Sequence, residues 1–358
     1  MAAGVPVTVE VEGCNTHLAA AEIRRVWARC LRDDAAEPAA VVRVLLDDDP
    51  GVVAAARAAG AIAGTELVPV MHDLSPRVTE AALSTLAASP VLLFHAGGLC
   101  ASDGATVMLV GPSGAGKTTA VRTLATSLGY VSDETIAVAA DGTIAPYPKP
   151  FSVLDRGDAW KTQHAPEAIG AGPTPARAHL AGVLVLARDP AAPAVPHVEE
   201  LGVLEAISAL APQVAYLAGH PRPLARMAAL IEAVGPVLRV SYAESAYLAP
   251  LVDSLLAAPA RAVRRLPDLR AEEVPRGAEP GPGEVALAPH HDLLVLPDGS
   301  AGLLVGERFL GLSPGAGGVV AELSAGPLAR EHLLAEGADR EALLEALVEA
   351  GVVRTASA

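Results

Sequence analysis

Apolar positions alternate, cluster and recur at helical spacing along this chain in an order that predicts an α/β protein. Residues 5–11 alternate as a strand, apolar positions recur at helical spacing over 16–32, and Val41–Leu46 reads as a second strand ending in Asp47-Asp48-Asp49. That triplet has the composition of a cation site, but an isolated acidic run at a strand end is ordinarily a solvated terminus. A helix is expected from Ser75-Pro76 to about Ala88, with the serine as cap and the proline at the first helical position. These elements make a small α/β lobe over residues 1–85.

Val91–Phe94 reads as a buried strand leading to His95, and Thr106–Val110 as another that runs into a glycine-rich loop. Thr118–Leu128 follows as a helix stopped by Gly129. Ile136–Ala139 and Thr143–Ala145, separated by Asp141-Gly142, predict a hairpin. Gly182–Ala187 is a further buried strand, helices are expected near 203–211 and 223–234, Val237–Ser241 is a strand, and a helix near 244–257 closes the segment 86–258. Residues 259–284 are rich in Pro, Arg, Glu and Gly without apolar periodicity and read as a linker. The remaining segment, 285–358, carries short strands at Leu293–Leu296, Gly302–Val305 and Arg308–Leu310, then helices near 314–324, 327–335 and 340–350.

Composition sharpens this picture. A chain of 358 residues exceeds one core of ordinary size, which agrees with the several segments just read. Aromatics make up only 3%, so Ala-rich helices on Val- and Leu-rich strands must fill the cores. The formal charge is −15 and the only lysines are Lys117, Lys149 and Lys161, which argues against a nucleic-acid partner. The basic run Arg261, Arg264, Arg265 reads as part of the solvated linker. MAAGVPVTVEVEG lacks a basic region followed by an apolar core, so a cytoplasmic location is expected, and no apolar run reaches the ~18 residues of a membrane span. Cys14, Cys30 and Cys100 show no metal-ligand spacing and are expected to be buried free thiols.

The chemistry concentrates at Gly111-Pro112-Ser113-Gly114-Ala115-Gly116-Lys117-Thr118, a full G-x-x-x-x-G-K-[ST] phosphate loop between a strand and a helix. Glycines let successive N–H groups turn inward, and the helix behind presents its positive end to the same anion. Lys117 is expected at the β and γ phosphates, and Thr118 at a bridging Mg²⁺. Gly111, Ser113, Gly114, Ala115, Gly116 and Thr119 complete the nucleotide contacts. Asp133-Glu134 lies where the chain returns after the helix; alone it would read as a turn, but beside a phosphate loop it supplies carboxylates for an acceptor hydroxyl.

At these residues the sequence resembles the HPr kinase/phosphorylase family and its P-loop relatives, which are related to phosphoenolpyruvate carboxykinase. Four stretches carry the likeness: Leu92-Leu93-Phe94-His95-Ala96, the loop GPSGAGKTT, Tyr130-Val131-Ser132-Asp133-Glu134 and Tyr147-Pro148-Lys149-Pro150-Phe151. It covers roughly residues 85–258. The resemblance implies an HPr-kinase-like P-loop domain in which Asp133 is the catalytic acid/base, Glu134 its companion near Mg²⁺ or the acceptor, and His95 a residue lining the phosphate pocket. Lys149 would be a basic contact to the nucleotide. His95 can equally be read as a strand-end core histidine and Lys149 as a surface lysine. Glu134 departs from the commoner second Asp, and the glycine-rich signature of the bifunctional enzymes is missing, so phosphorolysis is not implied. Asp189, at the end of Gly182–Asp189, competes with Asp133 as a Walker B carboxylate beside its reading as an ordinary strand end.

The C-terminal segment, with Leu312-Ser313-Pro314-Gly315-Ala316 opening a helix, resembles a PqqD-type winged-helix module, a fold that binds leader peptides by strand addition. The expected function is an ATP- and Mg²⁺-dependent kinase acting on a Ser or Thr hydroxyl of a peptide or small protein. Two alternatives stand beside it: a nucleotide-binding accessory protein that recruits a peptide without phosphorylating it, and a kinase of a small metabolite such as free serine. The choice of ATP over GTP is open, and the resemblance implies a homo-oligomer.

Overall fold

Val7, Val9 and Val11 alternate with Thr8, Glu10 and Glu12, and this period of two folds as strand β1 (Val7–Glu12). Helix α1 (Thr16–Val26) crosses back so that β1 pairs in parallel with β2 (Ala40–Leu46), Val7 opposite Ala40. Helix α2 (Pro50–Ala58) then returns the chain to β3 (Ile62–Gly64), which pairs in parallel with β2. The acidic triplet organises turns. Asp49 caps α2 by accepting the Gly51 N–H at 2.7 Å, and Asp47 accepts the Cys14 N–H at 2.9 Å.

Helix α3 runs Leu67–Leu86, so the helix expected from Ser75 begins eight residues earlier and Pro76 lies inside it. Val70, Met71, Leu74, Val78 and Ala82 form one buried stripe through the proline. Packing that stripe on β2 and β3 outweighs the backbone bond that a proline at 76 denies to the His72 carbonyl.

A computed structural model describes residues 1–32, 37–154, 157, 159–258, 279–335 and 339–356. The central feature is a mixed eight-stranded sheet. Its strands are β4 (Leu92–Cys100), β5 (Ala105–Val110), β6 (Gly129–Ser132), β7 (Thr135–Val138), β8 (Thr143–Ile144), β11 (Ala178–Arg188), β12 (His197–Leu201) and β13 (Val237–Tyr242). A separate hairpin, β9 (Phe151–Val153) with β10 (Thr162–His164), lies between β8 and β11 in the chain. The order is β12-β13-β11-β5-β4-β7-β8, with β6 on β4, and β8 also meets the start of β11, so the sheet curls back on itself. β5, β11 and β13 are mutually parallel, whereas β4 is antiparallel to β5, β6 and β7.

Strand β4 does not end at His95 but continues through Ala96, Gly97 and Gly98. The two glycines break the apolar pattern for a packing reason. Helix α4 (Lys117–Leu124) lies so close that a Cβ on Gly97 would stand 2.4 Å from Val121 Cγ2, and a Cβ on Gly98 would stand 2.6 Å from Ile136 Cδ1 of β7. The core on this face joins Leu99, Leu109, Val121, Tyr130, Leu184 and Tyr242.

By contacts the described residues fall into two units. One comprises those of Met1–Glu200, Gln213–Ala215 and Val234–Arg265; the other comprises those of Leu201–Pro212, Tyr216–Ala233 and Leu266–Ala358. Helix α5 (Val203–Leu210) and nearly all of α6 (Pro223–Val234) group with the second unit, and α7 (Ala249–Ala257) with the first. Most of the expected linker, including Arg261, Arg264 and Arg265, lies outside the described residues.

The second unit holds the antiparallel sheet β18-β14-β19, from β14 (Glu284–Leu287), β18 (Leu328–Ala329) and β19 (Val353–Thr355). It also holds the meander β15 (Asp292–Val295), β16 (Ala301–Val305) and β17 (Arg308–Leu312). Helices α8 (Pro314–Leu323), α9 (Arg330–Leu334) and α10 (Asp339–Glu349) enclose with them a core of Leu287, Leu303, Val319, Leu333 and Leu347. Asp292, buried there, accepts the Leu224 N–H at 2.8 Å at the start of α6, and burial raises its pKa above the ordinary carboxylate range.

Of the three cysteines, Cys30 and Cys100 are buried as expected, but Cys14 is exposed at the turn after β1. Among the described residues no helix is long and apolar enough to cross a membrane.

Candidate functional site

Strand β5 is buried at every position and delivers the chain directly into the glycine-rich loop, and α4 begins at Lys117. The loop is pinned from behind by β13. The Tyr242 hydroxyl donates to the Ala115 carbonyl at 2.8 Å, and a Cβ on Gly116 would sit 2.7 Å from that same oxygen. Gly116 also has φ +88°, a left-handed conformation costly to other residues. Glycine is therefore required here twice over, by backbone and by contact. Lys117 is buried, and its ammonium donates to the Gly111 carbonyl at 2.6 Å and the Pro112 carbonyl at 3.3 Å. Burial lowers its pKa from the ordinary lysine value, so a phosphate arriving at this ammonium replaces weak carbonyl partners with a full counter-charge.

Asp133 and Glu134 occupy the two-residue turn between β6 and β7, which both pair with β4. Ser132 shapes that turn: its hydroxyl accepts the N–H groups of Glu134 at 3.3 Å and Thr135 at 3.2 Å. Lys149, only 2% exposed, lies against both carboxylates, 3.2 Å from Asp133 Oδ1 and 3.0 Å from Glu134 Oε2, and it donates to the Pro150 carbonyl at 3.2 Å. Its three donors are thus directed at three acceptors. Burial by itself would lower the Lys149 pKa, but the two carboxylates outweigh it and raise the value above the ordinary one.

Tyr130, fully buried and stacked on Phe151 with ring centroids 4.5 Å apart, places its hydroxyl 3.1 Å from Asp133 Oδ1 and 3.0 Å from the Lys149 carbonyl. Burial, and then the charge of Asp133, hold that phenol well above its ordinary pKa. Oδ1 of Asp133 is therefore engaged by Lys149 and Tyr130, and Oδ2 is the oxygen left for other partners.

These groups share one cleft of about 560 Å³, within the ~300–1,000 Å³ range of small-molecule sites. Ser113, Gly114, Ala115, Gly116, Lys117, Thr118 and Thr119 line it, with His95, Asp133, Glu134 and Lys149. Gly111 lies beneath, its carbonyl facing Lys117. His95 keeps solvent access, yet the cleft walls desolvate its charged form. That burial, with the charge of Lys117, lowers its pKa against the opposing pull of Glu134 and Asp133. Asp189 is not part of the lining; its carboxylate accepts the Ala191 N–H at 2.9 Å in its own turn. Thr118 and Glu134 both face the cleft, and a hydroxyl plus a carboxylate is the sparse, hard-oxygen donor set of a Mg²⁺ carried mainly by phosphates.

The cleft also contains residues that sequence reasoning did not assign. His72, Ser75 and Pro76 come from α3, Ser152 and Lys161 from the β9–β10 hairpin, and Arg188 from the end of β11. One signal was available: the three lysines of this acidic chain, Lys117, Lys149 and Lys161, all line this cleft.

No family model matches the chain, and no curated protein matches it. Among solved structures, the HPr(Ser) kinase/phosphatase from Coxiella burnetii aligns over 46% of this chain and 93% of its own, at 14% identity and a TM-score of 0.25. A likeness of that extent is too slight to carry an argument.

Proposed function

We propose that this protein transfers the γ-phosphoryl group of ATP, with Mg²⁺, to a hydroxyl. The observation that supports this is the presence in one cleft of the phosphate loop with Lys117 and of Asp133, whose Oδ1 is occupied by Lys149 and Tyr130 while Oδ2 stays open. A loop alone binds phosphates; a positioned carboxylate beside it supplies what transfer adds, a place for the acceptor's proton.

The acceptor oxygen forms a bond to the γ phosphorus as the bond from that phosphorus to the β,γ-bridging oxygen breaks. The hydroxyl proton passes to Asp133 Oδ2, and a nucleoside diphosphate leaves. The loop N–H groups and Lys117 hold the phosphate oxygens, with Lys117 giving up its bonds to Gly111 and Pro112. His95, neutral at physiological pH by virtue of its lowered pKa, contributes a hydrogen bond rather than a second charge. Thr118 and Glu134 would hold Mg²⁺, which would supply neutralisation of the phosphate charge. Lys149 pairs with the two carboxylates rather than contacting nucleotide; a phosphate contact would require it to release one of its three acceptors.

Asp133→Asn tests this. Retained ATP binding with phosphorylated product reduced about 10²–10⁴-fold is expected, and turnover at the wild-type rate would sink the reading. A second reading, a nucleotide-binding accessory protein that recruits a peptide, draws on the second unit. There β15 and β17 are the edge strands of a three-stranded antiparallel sheet, and strand addition to such an edge is the contact a winged-helix peptide-binding module would use.

A further inference from the structure

Beyond the phosphate loop, the same cleft carries a second group of donors, His72, Ser75 and Lys161. Lys161 forms no ion pair among the described residues. Its backbone N–H donates to His72 Nδ1 at 3.3 Å, and His72 meets Trp160 edge-on, with ring centroids 5.4 Å apart. With Nδ1 accepting, the neutral imidazole carries its proton on Nε2. Ser75, three residues further along α3, is 1% exposed and lines the cleft, and its hydroxyl has no hydrogen-bond partner. A buried hydroxyl left unpaired is costly and calls for a partner that no described residue supplies. An ammonium with no ion pair among the described residues, a buried hydroxyl and an imidazole N–H lining one cleft describe a site for one small anion. The single ammonium matches the single charge of a carboxylate.

We propose that the phosphoryl acceptor is a hydroxy acid, free or at a chain end, whose carboxylate is held by Lys161, Ser75 and His72 while its hydroxyl lies at Asp133. This rests on the transfer reading above and narrows its acceptor. The anchor also selects, because an amide in place of the carboxylate leaves the Lys161 ammonium unneutralised.

The test is binding, measured by calorimetry on the full chain loaded with Mg²⁺ and a non-hydrolysable ATP analogue. The probes are L-serine, serinamide, a short peptide ending in serine and the same peptide amidated. At least one free acid is expected to bind about tenfold tighter than its amide. Lys161→Gln is expected to erase that ratio and Lys161→Arg to retain it, a pattern that a merely structural lysine would not produce. Whether serine or the peptide shows the preference separates a free acid from a chain end. Equal affinity of acid and amide in both pairs, or no binding of either acid at millimolar concentration, overturns the proposal. Failure of the transfer reading shows elsewhere, as wild-type turnover by Asp133→Asn.

Discussion

Replacing Lys149 with Met isolates the interaction on which the carboxylate pair depends. Lys149 and Asp133 are 2% and 4% exposed, and their ammonium and carboxylate stand 3.2 Å apart. Removing the lysine leaves Asp133 buried with the Tyr130 hydroxyl, at 3.1 Å, as its one side-chain partner among the described residues. Glu134, 31% exposed, can turn to water and contributes less. Breaking one partner of a buried pair costs about 3–5 kcal/mol. For a unit of this size that corresponds to a fall in melting temperature of about 6–20 °C.

The sign of the pH response separates this from loss of packing. In the wild type the two carboxylates raise the Lys149 pKa above the ordinary lysine value, so its contribution is fully present below that ordinary value and is lost as pH rises through the folded value above it. Lys149→Met lacks this alkaline loss. Thermal unfolding of Lys149→Met, Asp133→Asn and the double variant across pH reads the difference, and the double variant should be more stable than Lys149→Met alone. A Lys149→Met protein within about 1 kcal/mol of wild type, or a double variant with purely additive losses, would refute the assignment of Lys149 to the carboxylates.

Two further outcomes follow from the loop and from His95. Gly116→Ala should abolish nucleotide binding, because its methyl group would meet the Tyr242 hydroxyl at 2.7 Å on a backbone already at φ +88°. Adding Tyr242→Phe removes the contact but not the backbone strain of about 1 kcal/mol, so titration should show only partial recovery. For His95, the folded pKa lies below the unfolded one. Stability is therefore complete above about pH 6.5 and declines as pH falls through the folded value. His95→Asn should remove that portion of the slope in melting curves of the nucleotide-free protein, and an unchanged slope would exclude His95 as its source.

The phosphate loop was legible because its chemistry is local: eight consecutive residues, a buried strand before them and a helix after them specify the turn whatever surrounds it. Asp133-Glu134 was legible for a related reason, since one short helix and one strand carry the chain from the loop back to the cleft. The start of α3 was not, because Ser75-Pro76 has the local form of a helix opening and only burial against β2 and β3 carries the helix through it. Gly97 and Gly98 carry β4 past His95 because Val121 of α4 and Ile136 of β7 approach too closely for a Cβ at either position.

Lys149 reads as a loop lysine until the fold buries it between two carboxylates. Lys161 acquires meaning only when it meets His72, 89 residues away, and Tyr242 only when it reaches Ala115, 127 residues away. The sequence by itself determined the glycine-rich loop between strand and helix and which carboxylates follow it in the chain. The tertiary structure alone decided which lysine holds those carboxylates, which lines the cleft beside His72 and what pins the loop, because long-range packing sets each of these contacts and no spacing along the chain encodes it.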